Sequence, residues 1–191
     1  MITIYTGCMF SSKTYNLLKT YELKKENSIL IKPNLDNREG FNFEYVTSRN
    51  NLSYKADYII NVDSNNSNEL SLLKSIDITK IKNVFIDEFQ FFTIKILSVI
   101  NYLQKHNIDI YLSGLSKDSN NNNFGLINDI INIYKNVQVI NLYAKCNECG
   151  SNASYTYRLT DTYTQICVGD KEYIPLCETH YKNKQYYKNN G

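Results

Sequence analysis

Apolar positions recur along the chain in two alternating rhythms, short β-prone runs and longer stretches with helical spacing. Ile2, Ile4 and Tyr5 form the first run, which stops at Gly7, and a helical pattern with Leu17, Leu18 and Tyr21 on one face begins soon after. Ser28-Ile29-Leu30-Ile31 reads as a second buried strand closed by Pro33. After a polar, Asn-rich segment, a helical pattern from Leu70 to Ile81 leads into Asn83-Val84-Phe85-Ile86-Asp87, a third strand that ends on a carboxylate. The spacing then predicts a helix from Ile94 to His106, a strand over Ile108-Asp109-Ile110-Tyr111-Leu112, a helix from Leu126 to Ile133 and a strand over Val137-Gln138-Val139-Ile140. Alternating β and α units of this kind predict an α/β fold, a parallel sheet with helices on both faces. Past Lys145 the text changes to Cys pairs, Thr and Tyr. The expected organisation is therefore a main domain over 1–143 and a small β-rich module over 144–191.

Composition narrows the function classes. At 191 residues, with 42% hydrophobic and 21% charged positions, the chain can bury one full core plus a small appended module and lies far from the signature of disorder. Lys and Arg number 21 against 19 Asp and Glu, a net charge of +2, which is too little for the electrostatic footprint of phosphate-backbone binding, so no nucleic-acid partner is expected. Neither a signal peptide at Met1-Ile2-Thr3-Ile4-Tyr5 nor any apolar run of about 20 residues suggests secretion or a membrane. A cytoplasmic protein is the expectation, and there five cysteines read as metal ligands or buried thiols rather than disulfides.

Three local motifs carry chemistry. Gly7-Cys8-Met9-Phe10-Ser11-Ser12-Lys13-Thr14 lies between the first strand and the first helix, where a phosphate-binding P-loop belongs. Backbone N–H groups there can surround phosphate oxygens, Lys13 can neutralise the β- and γ-phosphates of ATP, and the Thr14 hydroxyl can ligate Mg²⁺. Ser12 stands where such loops carry a second glycine, a poor choice if the position needs positive φ, and the bland alternative is a Ser/Thr-capped helix start. Asp87-Glu88 follows a hydrophobic strand in the manner of a Walker B acid: Asp87 can hold Mg²⁺, and Glu88 can accept a proton from an attacking hydroxyl. Helix capping or solvent exposure is the alternative for that pair.

Cys146-x-x-Cys149 and Cys177-x-x-His180 supply three thiolates and one imidazole, a complete tetrahedral set for structural Zn²⁺ with no open position. Gly150, just after the first pair, suits the tight turn of a zinc knuckle. Free buried thiols and a nucleic-acid zinc module are the alternatives. Cys8 and Cys167 stay outside this scheme as small buried hydrophobes, though Cys8 lies near a helix N-terminus that favours thiolate.

Together these residues resemble one family. Gly7 to Thr14 resembles the G-P-M-F-S-G-K-[ST] loop of cellular and poxviral (type II) thymidine kinases, and Asp87-Glu88-Phe89-Gln90-Phe91-Phe92 is similar to that family's D-E-G-Q-F-F. Lys32-Pro33-Asn34-Leu35-Asp36-Asn37-Arg38, Ser113-Gly114-Leu115, Phe124-Gly125 and the cysteine module with Tyr155-Thr156 and Tyr173 follow in the family's order. The resemblance implies a P-loop NTPase-like domain with a zinc-ribbon-like lasso, acting as an ATP- and Mg²⁺-dependent kinase on the 5′-hydroxyl of thymidine, with deoxyuridine as a possible substrate. It implies Glu88 as the catalytic base, and Gly7 to Thr14, Asp87, Glu88, Phe89, Gln90, Asp36 and Arg38 around the phosphates and the catalytic centre. Met9, Phe91, Leu115, Phe124, Thr156, Ile166, Val168, Gly169 and Tyr173 fall at nucleoside positions, and a homotetramer is implied. Their alternative role is ordinary core packing. Here Cys8 and Ser12 alter the loop, Phe89 stands where the family has a small residue, and Ser116-Lys117-Asp118-Ser119 replaces the family's D-G-T-F. A homologue that binds nucleotide with weak or no turnover, and a zinc-stapled nucleic-acid-binding domain, are the rival readings.

Overall fold

The computed structural model describes residues 1–34, 43–63, 65–160 and 171–190. In chain order the sheet-forming segments of the main domain are β1 (Ile2–Thr6), β2 (Ser28–Pro33), the hairpin β3 (Tyr45–Thr47) and β4 (Ser53–Lys55), β5 (Tyr58–Ile60), β6 (Asn83–Ile86), β7 (Asp109–Gly114) and β8 (Val137–Asn141). Six of them form one sheet in the order β5-β2-β6-β7-β1-β8 with every pairing parallel. β1 thus lies between β7 and β8, and the acid-bearing β6 lies on the far side of β7.

Side-chain alternation along the strands decides what covers each face. Ile31, Ile86, Leu112 and Ile4 stand in register across four strands and belong to the larger core cluster. Against them pack α2 (Leu72–Ser75), α3 (Ile96–Lys105) and α4 (Ile127–Ile133). In α3 the buried positions Ile96, Val99, Ile100 and Leu103 follow the i, i+3, i+4, i+7 spacing of an amphipathic helix. The opposite face shows Leu30, Phe85 and Tyr111, covered by Leu17, Leu18 and Tyr21 of α1 (Lys13–Lys24). Phe85 stacks on Tyr111 at 4.5 Å and meets Tyr21 edge-on at 5.3 Å, contacts that each add about 0.5–1.5 kcal/mol beyond buried area.

Where local pattern and structure part, the reason is visible. The helix expected over 70–81 contracts to a 3₁₀ turn at Glu69–Ser71 followed by α2. Ile76 turns extended, and the Asp77 carboxylate accepts hydrogen bonds from the Thr79 N–H and hydroxyl, giving the backbone an alternative to helix. β5 and the β3–β4 hairpin fall in the segment read only as polar, because three-residue strands are too short to show a period.

Beyond β8 come β9 (Ala144–Lys145) paired with β10 (Asn152–Ala153), β11 (Tyr155–Arg158) paired with β12 (Tyr173–Leu176), and α5 (Glu178–Asn190). Beside its four short strands this segment carries α5, whose polar sequence shows little amphipathic pattern and which docks chiefly through Tyr181. Tyr181 stacks on Tyr155 at 4.6 Å and joins Ala144, Cys146, Ala153 and Leu176 in a small core that also contains Cys8. The module and the loop after β1 therefore share one apolar cluster.

Candidate functional site

Parallel strands bring the ends of β1, β6, β7 and β8 to one edge of the sheet, and the candidate chemistry collects there. The chain leaves β1 through Gly7 at φ 145°, where a Cβ would lie 2.1 Å from the Leu142 carbonyl oxygen, so glycine is required. Phe10 and Ser12 both adopt left-handed conformations, φ 68° and 63°, and curl the loop into the start of α1. The second glycine position of a P-loop is thus a left-handed position here too, filled by a residue that resists it. The Ser12 hydroxyl makes no capping hydrogen bond among the described residues, which removes the simple helix-cap alternative.

Within the loop the Cys8 carbonyl is the internal acceptor, bonded by the Ser11 hydroxyl at 2.8 Å and by the Lys13 ammonium at 2.7 Å. Burial pushes the Lys13 pKa below its ordinary value, while the negative charge of Glu88 and Asp87 acts to keep it protonated. Cys8 is buried, its thiol pushed up by desolvation, and it donates to the Ala153 carbonyl at 3.3 Å. The thiolate alternative for Cys8 is thereby set aside. Met9 N–H donates to the Thr156 hydroxyl at 2.9 Å, a second tie from the loop to the module.

The acid pair sits opposite. Asp87 reaches across the intervening β7 to the first turn of α1: the Thr14 hydroxyl donates to it at 3.1 Å, and the Ser113 hydroxyl, from the end of β7, donates to the same oxygen. Burial, and then the adjacent Glu88 charge, raise the Asp87 pKa to about 7 despite these two donors. An unfolded Asp titrates near ~3.9, so the folded protein holds an extra proton between those values, and this stabilisation is lost as pH rises through 7. The magnesium- and nucleotide-free protein should accordingly lose several degrees of melting temperature between about pH 4 and pH 7 through this group. Asp87→Asn should flatten that slope, and an identical pH profile in the variant would contradict the assignment.

Glu88 is half-buried and left-handed at φ 50°, which turns its side chain away from the run of the strand. The Gln90 amide then fixes two groups at once, donating to the Glu88 carboxylate at 2.5 Å and accepting from the Leu115 N–H at 2.9 Å. Gln90 fits a slot cut by two glycines. A Cβ on Gly114 would fall 2.6 Å from its Oε1, and one on Gly125, at φ 61°, would fall 2.4 Å from its Cα. This bridge could not be read from the motif alone, since it depends on the contact between β7 and the turn after β6.

Of the residues expected around the nucleoside, Phe91 and Phe124 meet edge to face at 5.8 Å, Leu115 is tied to Gln90, and Met9 to Thr156. Tyr173 stands on the hairpin face it shares with Thr156 and receives the Arg158 guanidinium on its hydroxyl at 2.8 Å. Phe89, expected beside Glu88 as the catalytic base, turns its ring fully into the core against Phe92 at 6.0 Å, so its bulk is absorbed by packing. Asp36, Arg38, Ile166, Cys167, Val168 and Gly169 lie outside the described residues. A cavity of about 160 Å³ opens between loop and module, lined by Gly7, Cys8, Lys117, Asp118, Tyr143 and Thr156 among others.

In the module, the sulfurs of Cys146, Cys149 and Cys177 and a ring nitrogen of His180 all lie within 4.8 Å of one another. Cys146 and Cys177 sulfurs are 3.5 and 3.2 Å from His180 Nδ1, and Cys149 is 4.0 Å from Cys177. Tetrahedral Zn–S and Zn–N bonds require edges of about 3.5–3.8 Å, so these four donors fit a zinc ion. Burial opposes ionisation of Cys146, but N–H groups of Cys177, Glu148 and Cys149 aimed at its sulfur bring it down to about 6, which suits a metal-bound thiolate.

Comparison with known proteins gives this geometry its family. The thymidine kinase family model matches residues 1–181. The chain is 30% identical to a thymidine kinase of Pseudothermotoga lettingae over 98% of its own length and 97% of the relative's. It is 32% identical to a thymidine kinase of Mycoplasmoides gallisepticum, over 92% and 78% of the two chains, and 30% identical to one of Coprothermobacter proteolyticus, over 95% and 90%. A curled loop that presents a lysine, a strand-end acid pair facing it and a Cys/His module tied to that loop thus occur in a chain that belongs to the thymidine kinase family.

Proposed function

We propose that the protein transfers the γ-phosphate of ATP to the 5′-hydroxyl of thymidine. The observation that carries this reading is the convergence of Lys13, Thr14, Asp87 and Glu88 at one sheet edge, with Thr14 and Asp87 in direct contact. Backbone N–H groups of the loop and Lys13 would hold the phosphates. Thr14 and Asp87 would hold Mg²⁺, which when bound neutralises charge on the bridged phosphate oxygens. Glu88 would take the proton of the attacking hydroxyl, with Gln90 fixing its carboxylate. In-line transfer asks mainly for positioning and charge neutralisation, which this set supplies.

Phe91, Leu115, Phe124, Met9, Thr156 and Tyr173 would enclose the nucleoside, with Ile166, Val168 and Gly169 completing the wall and Asp36 and Arg38 the catalytic centre. Cys146, Cys149, Cys177 and His180 would hold a structural Zn²⁺, making 144–191 a lasso module set against the 1–143 domain. As part of the same proposal the enzyme is cytoplasmic and homotetrameric. Among the described residues no helix is long and apolar enough to cross a membrane, and Ile131 and Ile133 of α4 are exposed.

Nucleoside-dependent ADP release tests the substrate assignment: thymidine should drive it fastest, with deoxyuridine as the second candidate. Release indifferent to any nucleoside would leave a nucleotide-binding protein without kinase activity. Ser12→Gly should relieve the left-handed strain, stabilise the fold by about 0.5–1 kcal/mol and tighten ATP binding while leaving that of thymidine unchanged. Calorimetric titration of both variants checks this, and tighter ATP binding to the serine form would mean that the hydroxyl donates to phosphate instead.

A further inference from the structure

The cysteine module also reaches the main domain away from the Gly7–Thr14 loop. From α5 the Tyr181 hydroxyl donates to the Ser119 carbonyl at 2.9 Å, a buried bond between residues 62 apart in the chain. Ser119 lies in the loop that follows β7, which carries Leu115 at its start and Phe124 near its end. We propose that Tyr181 is a positioning residue for the nucleoside: through Ser119 it sets the loop that presents Leu115 and Phe124, and so ties nucleoside affinity to the four-donor cluster beside it. The inference rests on the reading of Leu115 and Phe124 as part of the nucleoside enclosure.

The loop is braced along its length. Lys117 and Asn123 form an antiparallel bridge, the Asp118 N–H donates to the Asn122 carbonyl at 2.9 Å, and the Phe124 N–H donates to the Ser116 carbonyl at 3.1 Å. At the tip the Asp118 carboxylate accepts from the N–H groups of Asn120 and Asn122, each at 2.9 Å, and Asn121 takes the left-handed conformation, φ 63°, that Asn tolerates. At the base the Leu115 N–H donates to Gln90 at 2.9 Å, and the Phe124 ring meets Phe91 edge to face at 5.8 Å. A constraint applied at Ser119 is therefore passed along a hydrogen-bonded ladder to both nucleoside positions.

Tyr181 is fixed equally well on its own side. It is buried, stacks on Tyr155 at 4.6 Å, meets Tyr157 edge-on at 6.3 Å and accepts on its hydroxyl from the Gln185 amide at 3.1 Å. Its N–H donates to the Cys177 carbonyl at 2.9 Å, and His180 precedes it. Cys177 and His180 are both members of the four-donor cluster, so zinc held there would fix the turn of backbone from which Tyr181 projects. Loop and module face each other across the cavity of about 160 Å³, with Lys117, Asp118 and Asn121 on one wall and Tyr155 and Thr156 on the other. The bond from Tyr181 joins the two elements that wall this space.

The test compares the full-length zinc-loaded protein with its Tyr181→Phe and Tyr157→Phe variants. Tyr181→Phe keeps the stacked ring and removes the donated hydrogen bond, whereas Tyr157→Phe removes a hydroxyl from the same aromatic cluster and serves as the control. Without ligands, Tyr181→Phe should speed hydrogen exchange of the Asp118, Asn122 and Phe124 amides by about threefold to tenfold, the worth of one hydrogen bond. Thymidine binding should weaken by a similar factor, with ATP affinity, kcat at saturating thymidine and one zinc per chain retained, and Tyr157→Phe should match the wild type throughout. Unchanged exchange in Tyr181→Phe overturns the inference. So does faster exchange with unchanged thymidine affinity, and so does an equal loss for ATP and thymidine, which would mean that Tyr181 only braces the module. If exchange quickens but the wild-type protein binds no nucleoside, the nucleoside reading itself falls and the bond keeps a structural role alone.

Discussion

Glu88→Gln is expected to lower kcat by about 10²–10⁴-fold, the usual yield of a positioned proton acceptor, while leaving affinity for both substrates within a few fold. The substitution keeps the side chain's size and the left-handed backbone at residue 88, so what it removes is the negative charge and the capacity to take a proton. The Gln90 amide would then face another amide, which can turn its own oxygen toward it and preserve the contact. A second consequence is electrostatic. With the neighbouring charge gone, the Asp87 pKa should fall part of the way, burial still holding it above the ordinary carboxylate range, and the pH dependence of the metal-free protein's stability should shrink with it. Steady-state kinetics beside equilibrium titration of the two ligands separates these effects. A kcat unchanged by the substitution would remove Glu88 as the base.

The other large effect is expected at the cysteine module. Cys177→Ser opens a four-donor site and should reduce bound zinc from one per chain to nearly none, with a melting temperature lower by about 10 °C. The resemblance alone assigns this module to the nucleoside, so that thymidine binding should weaken more than ATP binding. The structure changes that expectation. Cys8 and Met9 of the Gly7–Thr14 loop are bonded to Ala153 and Thr156, and Cys8 lies in the module's own apolar cluster with Cys146. Loosening the module should therefore weaken ATP as well as thymidine. Elemental analysis, melting curves and titration of each ligand give the three readouts, and full zinc occupancy in the serine variant would exclude Cys177 as a ligand.

These contrasts indicate what a sequence can and cannot disclose about such a site. Gly7 to Thr14, Asp87-Glu88 and the two cysteine pairs are each contiguous or regularly spaced, so pattern alone locates them at a strand-to-helix turn, a strand end and a four-donor cluster. The five longer sheet strands and α3 are legible for the same reason, since burial on one or both faces imposes a period. Gln90 and the bonds from Cys8 and Met9 to the module depend on contacts between elements distant in sequence, and neither has a local signature. Ser113 belongs with them, because its bond to Asp87 follows from β7 lying between β6 and β1, a strand order that no local pattern encodes. Phe89 differs in the opposite sense: its position in the motif suggests a site residue, while its ring lies in the core after the left-handed turn at Glu88.

Transfer itself is the central claim, and following γ-labelled phosphate from ATP measures it most directly. Incubated with labelled ATP, Mg²⁺ and thymidine, the protein should place the label on the 5′-oxygen of thymidine, giving thymidine monophosphate in amounts equal to the ADP released, and Glu88→Gln should slow that step at saturating substrates. Label appearing only as inorganic phosphate, or remaining on ATP at saturating thymidine, would contradict the account.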